Sequence, residues 1–144
     1  MPVELQNDQR IFRLESRKIK KIGQGLLTAL GHSEAVLSLL LTDDRTMSQL
    51  HGRWMGEPTP TDVLSFSMGE SAGGSTEILG DIAISVQMAK RRNPQNPYGE
   101  VVDYLIHGLL HLAGFDHLRP VDRQRMNRQA KRLRKIAKAL EDGE

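Results

Sequence analysis

The chain has 144 residues, 38% of them apolar and 26% charged, with a formal net charge of +2. That is enough apolar sequence for one domain, residues 1–144, around a single core. No cysteine is present, which excludes disulfides and thiolate metal ligands and makes the cytoplasm the expected compartment. The longest apolar runs, such as residues 36–41, are far too short for a membrane span, and the first residues lack the basic-then-apolar pattern of a secretory leader. A cytoplasmic protein with no membrane partner is expected.

Residues 3–7 alternate weakly, as a short strand would. Residues 16–30 carry Ile19, Ile22, Leu26, Leu27 and Leu30 at helical spacing, predicting an amphipathic helix that ends near Gly31. Residues 35–42 form a continuous apolar run of strand length, the pattern of a buried strand. A short helix is expected over 46–55, with Met47, Leu50 and Trp54 on one face. Pro58 and Pro60 deliver the chain extended into a strand over 62–68. Residues 69–76 (GESAGGST) read as a surface loop; no lysine-serine ending follows to suggest a phosphate cradle. Residues 79–85 are a further strand, running into a helix through about Asn93 that Pro94 and Pro97 break. A strongly apolar helix over 101–113 stops at Gly114. The last helix, about 121–140, has Met126, Ala130, Leu133, Ala137 and Leu140 in one stripe. The sum is a single α/β domain: a small mixed central sheet of about four strands packed with helices.

Charge is unevenly distributed. Residues 119–138 hold nine basic side chains against one acid, Asp122, so the remainder of the chain is net acidic. Lysine and arginine are good helix formers, and a charged outer face keeps a helix solvated. A solvated face usually mixes signs, however, and here acids are nearly absent. Contact with a phosphate-bearing polyanion explains the bias better; Arg123, Arg128, Lys131, Arg132 and Lys135 are the candidates for that contact. With few aromatic residues to stack bases, sequence-specific reading of a single strand is expected to be weak.

The most informative residues are His107, His111 and His117. His107 and His111 lie four apart on the predicted helix, so both imidazoles project from one face. Gly114 can leave the helix with positive φ and let the chain fold back, bringing His117 to the same point. A lone histidine on an apolar face is more often a satisfied core residue than a ligand; three at these offsets around a turn glycine are not explained that way. Three imidazoles suit one tetrahedral zinc ion (Zn2+, one per chain) with its fourth position open for chemistry. The spacing HxxxHxxGxxH is also that of the metzincin metallopeptidases, but those carry a glutamate general base directly after the first histidine. Gly108 stands there in this chain, so peptide hydrolysis by that route lacks its base.

At these residues the chain resembles the YbeY family of bacterial endoribonucleases, also called rRNA maturation factors. The hallmark HGxLHLxGxDH is matched by residues 107–117, the block PTDVLSF by residues 60–66, and LGDI by residues 79–82, in the family's order. The resemblance implies a zinc-dependent, single-strand-selective endoribonuclease acting in 3′-end maturation of small-subunit rRNA and in ribosome quality control, with rRNA and ribosomal proteins as partners. It carries His107, His111 and His117 over as metal ligands. Many members place an arginine six residues before the threonine of PTDVLSF; that position is Met55 here, and Arg53 is the nearest candidate to replace it.

Other residues are open to two readings. Asp116 either orients a ligand imidazole or caps the turn after Gly114, the commoner use of an aspartate there. Asp81 either faces the histidines as an outer partner or makes a strand-end hydrogen bond. Ser65 and Thr61 line the cleft if their sides of the chain face it. Two functional alternatives stand beside the ribonuclease: a metallopeptidase-like hydrolase drawing its base from elsewhere, and a non-catalytic ribosome-assembly factor in which metal fixes the fold.

Overall fold

The computed structural model describes residues 3–67 and 78–142; the predicted loop over 69–76 lies outside them. The elements run β1 (Val3–Asn7), α1 (Ser16–Ala29), β2 (Val36–Thr42), α2 (Asp44–Met55), β3 (Val63–Ser67), β4 (Ile78–Ser85), α3 (Val86–Arg92), α4 (Pro97–Leu112) and α5 (Pro120–Asp142). The four strands make one sheet in the order β1-β2-β4-β3. β1, β2 and β4 are parallel, and β3 pairs antiparallel with β4 from Val63↔Ile84 to Ser67↔Gly80. β3 is therefore an edge strand. A Cβ at Gly80 would run into the Phe66 carbonyl across this pair, so the glycine permits the close approach of the two strands.

Both faces of the sheet are used, which is why β2 and β4 read as nearly unbroken apolar runs. One face buries Leu37, Leu39, Leu41, Ile82 and Ile84 beneath α1 and α4. On the other face α2 contributes Met47, packed with Leu64 and Ala83 and flanked by Leu40, Leu50 and Phe66. α5 lies outside, its stripe Met126, Ala130, Leu133 and Ala137 buried against α1 and α4. Parity along β4 follows: Ala83 belongs to the α2 side, Ile82 and Ile84 to the α4 side.

Local capping sets the boundaries. Asp43 accepts the Thr46 N–H at 2.9 Å to start α2, and Ser85 accepts the Met88 N–H at 3.0 Å to start α3, each satisfying a donor the first helical turn cannot. α4 starts four residues earlier than the sequence suggests. Asn96 accepts the Gly99 N–H at 3.1 Å and Pro97 occupies the first helical turn, where its missing N–H is no loss and its fixed φ is already helical. Pro97 opens α4 where the sequence reading took it only as a breaker of the preceding helix.

Candidate active site

α4 brings two of the three histidines together and its C-terminus delivers the third. Beyond Ala113 the helix closes with two bonds, Gly114 N–H to the His111 carbonyl at 3.1 Å and Phe115 N–H to the Leu110 carbonyl at 2.9 Å. This is the Schellman arrangement, and it needs a left-handed residue between them. Gly114 supplies it, with φ of 97°. The reversed chain then carries His117 back beside the helix, where its ring lies 5.5 Å from that of His111, edge to face. His107, His111 and His117 all line one cleft of about 880 Å³. Its other walls are the β3 edge with Ser65 and Ser67, Met55 from the end of α2, and Arg123, Met126 and Asn127 from α5.

The protonation of the rings is set by their surroundings. His107 Nδ1 is 2.9 Å from the Asp103 carbonyl, one helical turn back; it donates there, leaving Nε2 as the free lone pair. The Asp103 carboxylate stands 3.6 Å from the same Nδ1 and accepts from Arg134 Nε at 2.7 Å, so α5 clamps the residue that orients His107. Burial, and after it the neighbouring His117 and His107, pull the pKa of His111 below the ordinary histidine value, with Asp116 opposing. A neutral imidazole is the ligating form.

These features fit zinc. Two imidazoles bound to one tetrahedral ion, with Zn–N near 2.0–2.1 Å, hold their ring centroids about 5 Å apart, close to the separation of His111 and His117. Among the described residues no three His, Asp or Glu side chains are drawn up tightly enough to hold a metal ion.

Gly108 explains the missing glutamate of the metallopeptidase pattern. It is buried on the sheet side of α4, and a Cβ there would meet three atoms of the Ile82 side chain at 3.0, 3.1 and 3.3 Å. A side chain at this position would have to displace Ile82 by a few tenths of an ångström, so the helix–sheet packing disfavours a carboxylate here.

The remaining sequence candidates divide. Ser65 lines the cleft, whereas the Thr61 hydroxyl, outside its lining, points to Asp62 at 3.4 Å. Asp116 accepts the Leu118 N–H at 3.2 Å, the turn-capping role. Asp81 lines a different cavity, on the α2 face of the sheet, because it shares the parity of Ala83. Arg53 is exposed in the last turn of α2, and it is Met55 that lines the cleft wall. Of the basic residues on α5, Arg123 lines the cleft; Arg128, Lys131 and Lys135 are exposed. Arg132 turns the other way, donating to the Ala29 carbonyl of α1 at 3.1 Å. Sequence reasoning missed Asp103, whose position four before His107 was a readable signal, and it missed Asn127 and the Arg134 clamp, which had none.

Fold and cleft together define a small α/β protein with three imidazoles in one cleft beside an edge strand. The family model described as Endoribonuclease YbeY matches residues 4–138, and the chain belongs to that family. It is 39% identical over 150 aligned positions to the Endoribonuclease YbeY of Anaeromyxobacter sp. (strain Fw109-5), covering 99% of this chain and 78% of that protein. To the Endoribonuclease YbeY of Geobacter sulfurreducens it is 32% identical, covering 99% and 98%. Among solved structures, the solution structure of TM1509 from Thermotoga maritima superimposes with a TM-score of 0.66 at 18% identity, over 94% of this chain and 88% of that one; this likeness concerns the fold.

Proposed function

We propose that the protein is a zinc-dependent endoribonuclease selective for single strands, acting in the cytoplasm in 3′-end maturation of small-subunit rRNA and in ribosome quality control. The observation that carries the catalytic part is the convergence of His107, His111 and His117 in one cleft; family membership supports RNA as the substrate and ribosomal components as partners. Among the described residues no helix is long and apolar enough to cross a membrane.

His107, His111 and His117 are the residues to hold the ion, which when bound would polarise a phosphoryl oxygen as a Lewis acid and lower the pKa of water. The chain's own contributions are distinct. The Asp103 carbonyl fixes His107 with Nε2 free, and Arg134 holds Asp103 in place. Ser65 and Ser67 offer hydroxyls along the β3 wall. Gly108 withholds a general base from the place where a metallopeptidase has one, which disfavours peptides as substrates.

The test is cleavage of single-stranded RNA, and of casein in parallel, by intact protein and by His111→Ala, with metal content measured on both. RNA cleavage and bound zinc lost together in the variant, with casein untouched throughout, is the expected result. Casein cleavage without RNA cleavage would transfer the assignment to a peptidase. If chelation unfolds the protein and intact protein cleaves neither substrate, the metal has a structural role and the chain an assembly role.

A further inference from the structure

The histidine cleft must also neutralise the charge of a polyanionic strand, and one residue is placed to do so. Among the described residues lining the cleft, Arg123 is the one lysine or arginine. The opposite rim offers the apolar Met55. Among the described residues, the one carboxylate on the cleft wall, Asp62, is engaged at 2.9 Å by Arg92.

Three other arginines of this region are committed elsewhere: Arg119 to Asp122 at 2.7 Å, Arg134 to Asp103, Arg132 to the Ala29 carbonyl; Arg125 and Arg128 are exposed and lie outside the lining of the histidine cleft. The Arg123 side chain has no ion pair or hydrogen-bond partner among the described residues, and the residue is exposed. Its spacing on α5 aims it. Met126 packs into the core and fixes the inner face of the helix; Arg123 and Asn127, four apart, share the flank that borders the histidines. A planar guanidinium with a side-chain amide one turn away is a donor set suited to the two non-bridging oxygens of a phosphodiester.

Resting on the ribonuclease reading, we infer that Arg123, assisted by Asn127, binds the scissile phosphodiester in the histidine cleft and so registers the strand for cleavage. Arg125, two residues on and about 200° round the helix, is the matched control, because it is exposed and lies off the cleft.

Two readouts test this. In cleavage of single-stranded RNA by the zinc-loaded protein, Arg123→Ala should lower kcat about 100-fold, the scale of losing one preorganised donor to transition-state charge, with metal content unchanged. Arg123→Lys should recover part of the loss, since the charge returns without the fork. Arg125→Ala, which removes the same charge, should stay within about threefold. In binding of a short oligoribonucleotide to His111→Ala protein, adding Arg123→Ala should flatten the slope of log affinity against log salt by about 0.7, one phosphate contact on a single strand. A kcat loss below threefold for Arg123→Ala, while His111→Ala abolishes cleavage, overturns the inference and leaves the ribonuclease reading standing. If wild-type protein cleaves no RNA, that reading fails, and an unchanged salt slope then overturns the role of Arg123 independently.

Discussion

Gly108 offers a sharp test of the packing that excludes a helical general base. In an exposed helix interior, glycine to alanine stabilises by about 1 kcal/mol through propensity. Here the added methyl would lie 3.0 Å from Ile82 Cδ1, 3.1 Å from Cγ2 and 3.3 Å from Cγ1. Ile82 is 1% exposed, and its β-branched stem has little room to yield. Overpacking of this kind costs about 1–3 kcal/mol, so the two effects sum to a net destabilisation of about 1 kcal/mol. For a chain of this size that lowers the melting temperature by about 3 °C. Thermal unfolding followed by far-ultraviolet circular dichroism measures it, and a double-mutant cycle with Ile82→Ala isolates the cause. Once all three contacting atoms are gone, Gly108→Ala should become stabilising. A melting temperature raised by Gly108→Ala in the wild-type background would refute the close helix–sheet approach, and with it the reason given for the absent glutamate.

Three other outcomes follow from the site. Gly114→Ala forces a Cβ into the left-handed turn at φ 97° but meets nothing within 4 Å; it should cost about 1–2 kcal/mol in denaturant unfolding and weaken zinc binding by displacing His117. Arg134→Ala should leave the fold intact but reduce zinc affinity about tenfold in competition titration, because Asp103 loses its clamp and His107 its fixed orientation. In metal-free protein His111 should titrate, by NMR, below the ordinary histidine value of about 6.5. Because the folded value is depressed, the unfolded chain binds the proton first. Stability should therefore decline as pH falls through about 6.5 toward the folded value and level off beneath it; stability rising across that window would contradict the buried, neutral ring.

The parts of the site legible in the sequence are those governed by local period. His107 and His111 are a helical i, i+4 pair, and Gly114 announced the reversal that returns His117, so all three could be placed without a tertiary contact. Sheet residues were harder. β4 is apolar on both faces, so nothing in LGDIAIS distinguishes the parity of Asp81 from that of Ile82; its side is decided by α2 packing against Ala83. Arg53 and Met55 are separated by about 200° of helix, and which of them meets the cleft depends on how α2 lies across the sheet. The basic helix was partly decodable. Measured from the Met126 stripe, Arg123 and Arg132 fall on opposite flanks, but only the positions of α1 and α4 say which flank borders the histidines. Pro97 shows the reverse error, in which a residue that stops one helix is also well suited to begin the next.

X-ray absorption at the zinc edge on the reconstituted protein tests the three-imidazole centre most directly. The spectrum should show one ion per chain, three imidazole nitrogens at about 2.0–2.1 Å and one exchangeable light donor; His117→Ala should remove a single imidazole or the metal altogether. An ion surrounded by oxygen ligands, or one whose coordination is untouched by substituting any of the three histidines, would contradict it.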